Sequence, residues 1–361
     1  MFKAYRFRLY PNQEQKIYLT KTFGCARFIY NKMLAERIKS YEENKDLDIK
    51  SVKYPTPAQY KGEFEWLKEI DSLALANAKM NLEKAYNNFF RDKFVGFPKF
   101  KKKSNNCSYT TNNQNGTVRF EGNYIKIPKL KSLIKIKQHI QFKELIKSCT
   151  ISQVPSGKYF ISILVDTDII HLPKNDNKVG VDLGIKNFAV TNSGDTFSNP
   201  KFLKKSEKKL AKLQKDLSRK KMGSTNREKA RIKVAKVHEK IANQRKDFLH
   251  KVSVQLIREN QTIVIEDLKV NNMIKNHNLT KSIMDVGWAE FRRMLEYKAK
   301  WYGREVIIAP SNYASSQLCS NCGNQSSQTK DLGCRIYICP LCGIVIDRDV
   351  NAGKNLLKLA M

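Results

Sequence analysis

The chain has 361 residues, with 67 Lys or Arg against 34 Asp or Glu, a formal net charge of +33 and 41% hydrophobic residues. That apolar share can bury real cores, the length suggests two or three domains, and a disordered basic tail is excluded; with no apolar run long enough to span a bilayer and no amphipathic anchor, a membrane protein is excluded too. So large a positive excess repels itself unless a polyanion screens it, and nucleic acid is the natural one.

Tyr5, Phe7 and Leu9 alternate with Arg6 and Arg8, the period-2 pattern of a half-buried strand with a cationic outer face. Pro11-Asn12 turns the chain, and from Gln13 the residues Ile17, Leu19, Phe23, Ala26, Ile29, Tyr30 and Leu34 recur at helical spacing. A second helical stretch, about Leu75 to Phe90, puts Leu82, Tyr86, Phe89 and Phe90 on one face, and these aromatics read as core in preference to base-stacking platforms. Leu47 to Glu63, between the helices, is polar and Pro-punctuated and reads as a loop. After the basic run Lys99 to Lys103, short strands are expected at Thr117 to Phe120, Tyr124 to Ile127, Ile140 to Phe142 and Lys158 to Asp166, with Gly122-Asn123 as a hairpin turn. Together with the N-terminal strand they read as a small β-barrel into which the helices are inserted. Lys99 to Lys103 is either a solvated face or a phosphate contact, and both readings stay open.

Leu172 to Lys178 is a hydrophilic linker, and Val179 to Thr191 reads as two antiparallel strands. Asp182 interrupts an apolar strand, where burial is costly, so it is expected to face an open cleft in which a cation can pair with it; Gly184 would let a substrate backbone approach. Lys201 to His250 carries Leu203, Leu210, Leu213 and Leu217 on one helical stripe and Val234, Val237, Ile241 and Phe248 on another, broken at Gly223-Ser224-Thr225 into a helical hairpin. Its basic excess favours an arm lying along a phosphate backbone over a merely solvated hairpin. Thr262 to Leu268 is a β-branched run of the kind buried on both faces, and it ends on Glu266. A helix from about Trp288 to Tyr302, a buried strand from Glu305 to Ala309 and a short helix from Ala352 to Leu359 follow, the last just after Asp349.

Cys319, Cys322, Cys339 and Cys342 form two CxxC pairs separated by 16 residues, each followed by a glycine, Gly323 and Gly343, that permits a tight turn. Two such turns close a tetrahedral four-thiolate site for one Zn2+ without water, so the metal is structural. The chain shows no apolar N-terminal signal segment and its other four cysteines lack a pairing pattern, which speaks for metal rather than disulfides. Cys334 has no CxxC partner and is left out.

Asp182, Glu266 and Asp349 at the edges of a mixed sheet would raise one another's pKa unless cations intervened. Two Mg2+ ions about 4 Å apart would bridge them and clamp a scissile phosphate, which makes phosphodiester hydrolysis the reaction type. Acids at strand ends also serve as caps and salt-bridge partners, so the residues alone leave this open.

Asp182 in VGVDLGIKNFAV, Glu266 in IVIEDLKV, the CSNCG and CPLCG knuckles and Asp349 in DRDVNAGKN together resemble the TnpB family, RNA-guided DNA nucleases encoded by bacterial insertion sequences and related to type V CRISPR effectors. YRFRLYPNQEQ, FGCARFIYN, FPKFKKK and SYTT extend the resemblance over essentially the whole chain. It implies an α/β multidomain protein: a β-barrel wedge domain (1–11 and 93–177) carrying an inserted helical recognition domain (12–92), and an RNase H-like (RuvC) nuclease domain (178–314 and 344–361) with an inserted zinc ribbon (315–343). Asp182, Glu266 and Asp349 would be the Mg2+-binding catalytic triad and Asp347 an auxiliary acid. The partners implied are a transposon-derived guide RNA and double-stranded target DNA, with a short target-adjacent motif read by the Leu75 to Phe90 helix and Tyr109-Thr110-Thr111 while base pairing reads the rest. A single chain with its RNA, in the bacterial cytoplasm, completes the expectation. The alternatives are an RNA-guided repressor that does not cut, which would need no triad, and a protein-only transposase, which would need no RNA. One departure is Gly353, where the family usually has alanine, and the terminus follows soon after at Met361. A helical glycine costs about 1 kcal/mol against alanine, so a less rigid last helix is expected.

Overall fold

The computed structural model describes residues 1–43, 54–104, 106–141, 143–169, 171–277, 279–327, 329 and 333–360. Of the segments expected above, the first part of the Leu47 to Glu63 loop, Phe142 and Met361 lie outside the described residues. The chain divides into two units, residues 1–168 and 169–361. Among the described residues no helix is long and apolar enough to cross a membrane.

In the first unit, β1 (Phe2–Tyr10) buries Phe7 and Leu9 and exposes Arg6, as its alternation predicts. Asn12 and Gln15 then cap α1 (Gln13–Glu43) reciprocally, the Gln15 N–H donating to Asn12 Oδ1 and the Asn12 N–H to Gln15 Oε1, both at 2.9 Å. Gln15 is buried and its amide bonds Ser132 and Leu133, whereas Ile17, expected inside, is 52% exposed. After α2 (Tyr60–Glu63) comes α3 (Ser72–Arg91), capped by Asp71 and burying Ala74, Leu75, Ala78 and Leu82. The aromatic end of the expected face is a correction, since Tyr86 and Phe89 are only half-buried and Phe90 is exposed.

The strands β2 (Cys107–Asn112), β3 (Arg119–Glu121), β4 (Tyr124–Lys126), β5 (Ile134–Lys137), β6 (Ile146–Gln153) and β7 (Tyr159–Asp166) join β1 in an antiparallel sheet ordered β2-β6-β7-β1-β5-β4-β3. Among the described residues β2 and β3 are its edges, and no ladder closes it. The expected strand at Ile140 is irregular. β2, β5 and β6 went unread: CSYTTN is polar, β5 is only four residues although IKIK alternates cleanly, and a register shift between Ile146 and Ser148 breaks the alternation of β6. The inner residues of β1, β6 and β7 and the buried stripes of α1 and α3 form one core.

The second unit holds a five-stranded sheet, β10-β9-β8-β11-β12. β8 (Lys178–Leu183), β9 (Asn187–Thr191) and β10 (Thr196–Ser198) are antiparallel neighbours, and β11 (Thr262–Ile265) runs parallel to both β8 and β12 (Glu305–Ile308). The linker, the first two strands, β11 and the Trp288 to Tyr302 helix fall where the pattern put them; β12 is half-buried rather than buried. α4 (Phe202–Ser218) and α5 (Thr225–Glu259) form the expected hairpin, turning at Gly223 with φ +77°, and their Leu and Val stripes meet in a small core of their own. α6 (Val270–Met273), α7 (Thr280–Val286) and α8 (Trp288–Tyr302) follow, and α8 with α5 covers the sheet over Phe188, Ile263, Ile265, Phe291 and Leu295. A small hairpin, β13 (Ile336–Ile338) and β14 (Val345–Asp347), leads into α9 (Arg348–Leu357).

α9 starts four residues earlier than its pattern suggested, because Asp347 caps it: Oδ1 accepts the N–H groups of Asp349 and Val350 at 2.9 and 3.1 Å. Gly353 also differs from expectation. A methyl group built on Gly180 of β8 would sit 2.0 Å from the Gly353 carbonyl oxygen, and one on Gly353 would sit 2.8 Å from the Asn192 backbone nitrogen. The glycine therefore lets α9 press against the sheet, so its missing side chain tightens the packing instead of loosening the helix. Gly184 similarly serves the chain's own turn, since the group that would crowd a side chain there is the Asn187 carbonyl, at 2.9 Å.

Candidate active site

β8 and β11 lie side by side in parallel, with Val181 opposite Ile265. One residue further along each strand come Asp182 and Glu266, so both carboxylates leave the sheet at the same end of adjacent strands, the end where parallel sheets place their ligands. Asp349 joins them from the first turn of α9, where the helix dipole favours negative charge. All three side chains are half-buried.

The three acids lie within electrostatic reach of one another. Burial pushes the Asp182 carboxyl well above the ordinary carboxylate range, and the charges of Glu266 and Asp349 push it further. Glu266 is also raised, first by burial, against a hydrogen bond from the Ser315 hydroxyl at 2.5 Å. Arg348 opposes both shifts, and Arg335 lies 3.6 Å from Asp349. Hard oxygen donors held together against their own repulsion suit divalent cations. Ser315, Arg335 and Arg348 escaped the sequence reading; nothing in their local pattern marks them.

The four cysteines are brought together as expected. Sγ of Cys319 lies 3.6 Å from that of Cys342, and Cys322 lies 3.5 Å from Cys339. All four ligand atoms lie within 4.8 Å of one another, and no other described His, Cys, Asp or Glu group is packed so tightly, so at least one pair of the acids stands further apart. Tetrahedral zinc with Zn–S bonds of about 2.3 Å spaces its sulfurs about 3.8 Å apart, so the cage fits that ion. The knuckles repeat each other: the Gly323 and Gly343 N–H groups bond the carbonyls of Cys319 and Cys339, both at 3.0 Å, with φ of +79° and +71°. The backbone N–H of Cys342 lowers the Cys339 thiol to about 6, towards the thiolate form that binds metal. Cys334 stays outside the cage and points to the Ile336 carbonyl.

The two segments expected to read a target-adjacent motif line one cavity of about 340 Å³, through Ala74, Ala78, Asn81, Tyr109 and Thr110, with Arg27 and Lys101. Thr111 is not available there, because it is buried and its hydroxyl bonds Asp71.

Three family models match the chain: a helix-turn-helix domain over residues 1–46, a family described as "Probable transposase" over 161–277, and a Cas12f1-like TNB domain over 288–356. A Streptomyces pristinaespiralis protein named as a candidate RNA-guided DNA endonuclease is 38% identical, covering 99% of this chain and 89% of its own length. InsQ of Escherichia coli K12, named in the same terms, is 34% identical over 98% of this chain and 91% of its own length. Among solved structures, the Cas12f1 chain of a complex with sgRNA and target DNA superposes with a TM-score of 0.63 at 14% identity, covering 99% of this chain and 98% of that one. At that identity the likeness speaks for the fold.

Proposed function

This chain belongs to the TnpB family, and from that premise we propose that it works as an RNA-guided DNA endonuclease encoded by an insertion sequence, cutting with Asp182, Glu266 and Asp349. The observation that carries the catalytic assignment is the placement of Asp182 and Glu266 at the same ends of adjacent parallel strands, with Asp349 brought to them by α9. Two Mg2+ ions on these oxygens would supply a nucleophilic water and neutralise charge on the leaving oxygen. The chain's own part is positional: β8 and β11 fix two of the donors, Ser315 holds one oxygen of Glu266, and the Asp347 cap fixes the first turn that bears Asp349.

On this reading residues 178–314 and 344–361 are the RuvC-like nuclease, 315–343 its zinc ribbon, and the first unit comprises the wedge and recognition domains. One chain holds every member of the triad, so one chain with one RNA, acting in the cytoplasm, is the working form we infer. The non-cutting repressor is disfavoured because such a protein has no use for three converging carboxylates, and the relatives' names speak against a protein-only transposase. Purifying the protein from cells that carry its native locus and sequencing the bound RNA tests the guided reading. A discrete RNA ending in sequence that matches DNA beside the element is expected, and the lack of any specific RNA would overturn it.

A further inference from the structure

The end of α3 and the segment after it carry six aromatic residues, Tyr86, Phe89, Phe90, Phe94, Phe97 and Phe100. Phe90 is 74% exposed, Phe94 88%, Phe97 44% and Phe100 52%. Burying one such ring is worth about 1.5–3 kcal/mol, so a group of them left in water marks a surface that something covers.

The surface is built rather than loose. Phe97 stands edge-on to Tyr86 and Phe89, with ring centroids 5.6 and 5.4 Å away, and the rings of Tyr86 and Phe90 are within 20° of parallel. Asp92 bonds the Phe94 N–H and its carbonyl accepts the Val95 N–H, both at 2.9 Å, which makes the turn that presents Phe94. Further on, the Asn31 amide clamps the Lys101 backbone in both directions, at 2.9 and 2.8 Å, so the segment is pinned to α1.

Its electrostatics choose the occupant. Residues 84–103 include seven Lys or Arg and one acid, Asp92. A second copy of the chain would bring the same positive charge to the contact, whereas a polyanion with flat apolar faces satisfies both the charge and the rings. Bases in a duplex stack on one another and present only their edges; unpaired bases offer their faces. We propose that the exposed rings of Phe90, Phe94 and Phe97 stack unpaired nucleotides, with Lys93, whose ammonium lies 5.6 Å from the Phe94 ring centre, and Lys99, two residues after Phe97, to hold the phosphate backbone. The site rests on the nucleic-acid-guided reading above, and its residues Phe90, Lys93, Phe94, Phe97 and Lys99 do not line the Tyr109–Thr110 cavity.

The test uses the full chain with its co-purified RNA, and labelled strands of about 15 nucleotides: oligo(dT), oligo(rU) and an abasic strand with the same backbone. Phe90→Ala/Phe94→Ala is expected to weaken oligo(dT) about fivefold or more and leave the abasic strand unchanged, while Phe90→Tyr/Phe94→Tyr keeps wild-type affinity. An equal loss on oligo(rU) makes either kind of strand a ligand; a loss confined to one identifies which is held. Equal weakening of oligo(dT) and the abasic strand, no weakening at all, or a concentration-dependent dimer that the alanine pair abolishes would overturn the proposal. Guided duplex cleavage by the same wild-type preparation is run in parallel, so failure of the nuclease reading appears there and not in the strand comparison.

Discussion

The side-chain amide of Asn351 donates to the Leu318 carbonyl at 2.7 Å, next to the ligand Cys319, and its oxygen accepts the Ser320 N–H on the other side at 2.9 Å. One turn on, Asn355 donates to the same Leu318 carbonyl at 2.7 Å and to that of Ser315 at 2.8 Å, and Ser315 in turn holds Glu266. The first zinc knuckle is thereby bonded to the helix that carries Asp349 and to the residue that orients Glu266. Both asparagines are buried, at 0% and 1% exposure, so water cannot replace these bonds.

Asn351→Ala strands the Ser320 N–H, and a buried polar group left unpaired costs about 1–3 kcal/mol. Urea unfolding should show a loss of that size, with cleavage reduced and zinc retained. Unchanged stability would mean that the bridge does not join ribbon to helix.

Cys342→Ser removes one corner of the thiolate cage, so zinc content measured by atomic emission should fall well below one ion per chain, and the ribbon should become protease-sensitive first. One zinc per chain in the variant would contradict the four-cysteine assignment.

Gly353→Ala distinguishes packing from propensity. Helix propensity alone favours alanine by about 1 kcal/mol, but the added methyl would meet backbone of Thr191 and Asn192 at 3.0 and 2.8 Å. Backbone cannot swing aside as a long side chain can, so the variant should lose about 1–3 kcal/mol. A gain in melting temperature would refute the close approach of α9 to the sheet.

These cases show what the sequence could and could not disclose. Asp182 and Glu266 were legible because an acid within or at the end of a β-branched run is costly and therefore conspicuous, and the CxxC spacing is a local rule. Gly353 was misjudged because its reason lies in β8 and β9, far away in sequence. Ser315, Asn351 and Asn355 act through contacts that no period of 2 or 3.6 encodes, although the spacing of the two asparagines, one turn apart, was there to be read. The aromatic residues after Leu82 keep the helical period of a core face past the point where the core ends, so periodicity carried the expectation too far.

Lys298 supplies a pH test. Its ammonium is buried against the Ser253 hydroxyl at 2.6 Å and the His250 carbonyl at 3.1 Å, and burial lowers it from 10.5 to about 8. Between those values the unfolded chain holds more protons than the folded one, so this group makes stability rise with pH from about 8 to 10.5, and below 8 its buried charge is a steady penalty. Lys298→Met should raise stability at pH 7 by about 1–2 kcal/mol and remove that rise. A variant that is less stable at pH 7 would show that the two hydrogen bonds outweigh the desolvation.

The most direct measurement is cleavage of a duplex matching the co-purified RNA, in Mg2+, by the wild type and by Asp182→Asn. The wild type should cut only with RNA and Mg2+ present, and the variant should bind RNA and target as the wild type does yet cut at least about 10²-fold more slowly. Cutting by Asp182→Asn at the wild-type rate, or cutting by the wild type without RNA, would contradict an RNA-guided nuclease centred on this triad.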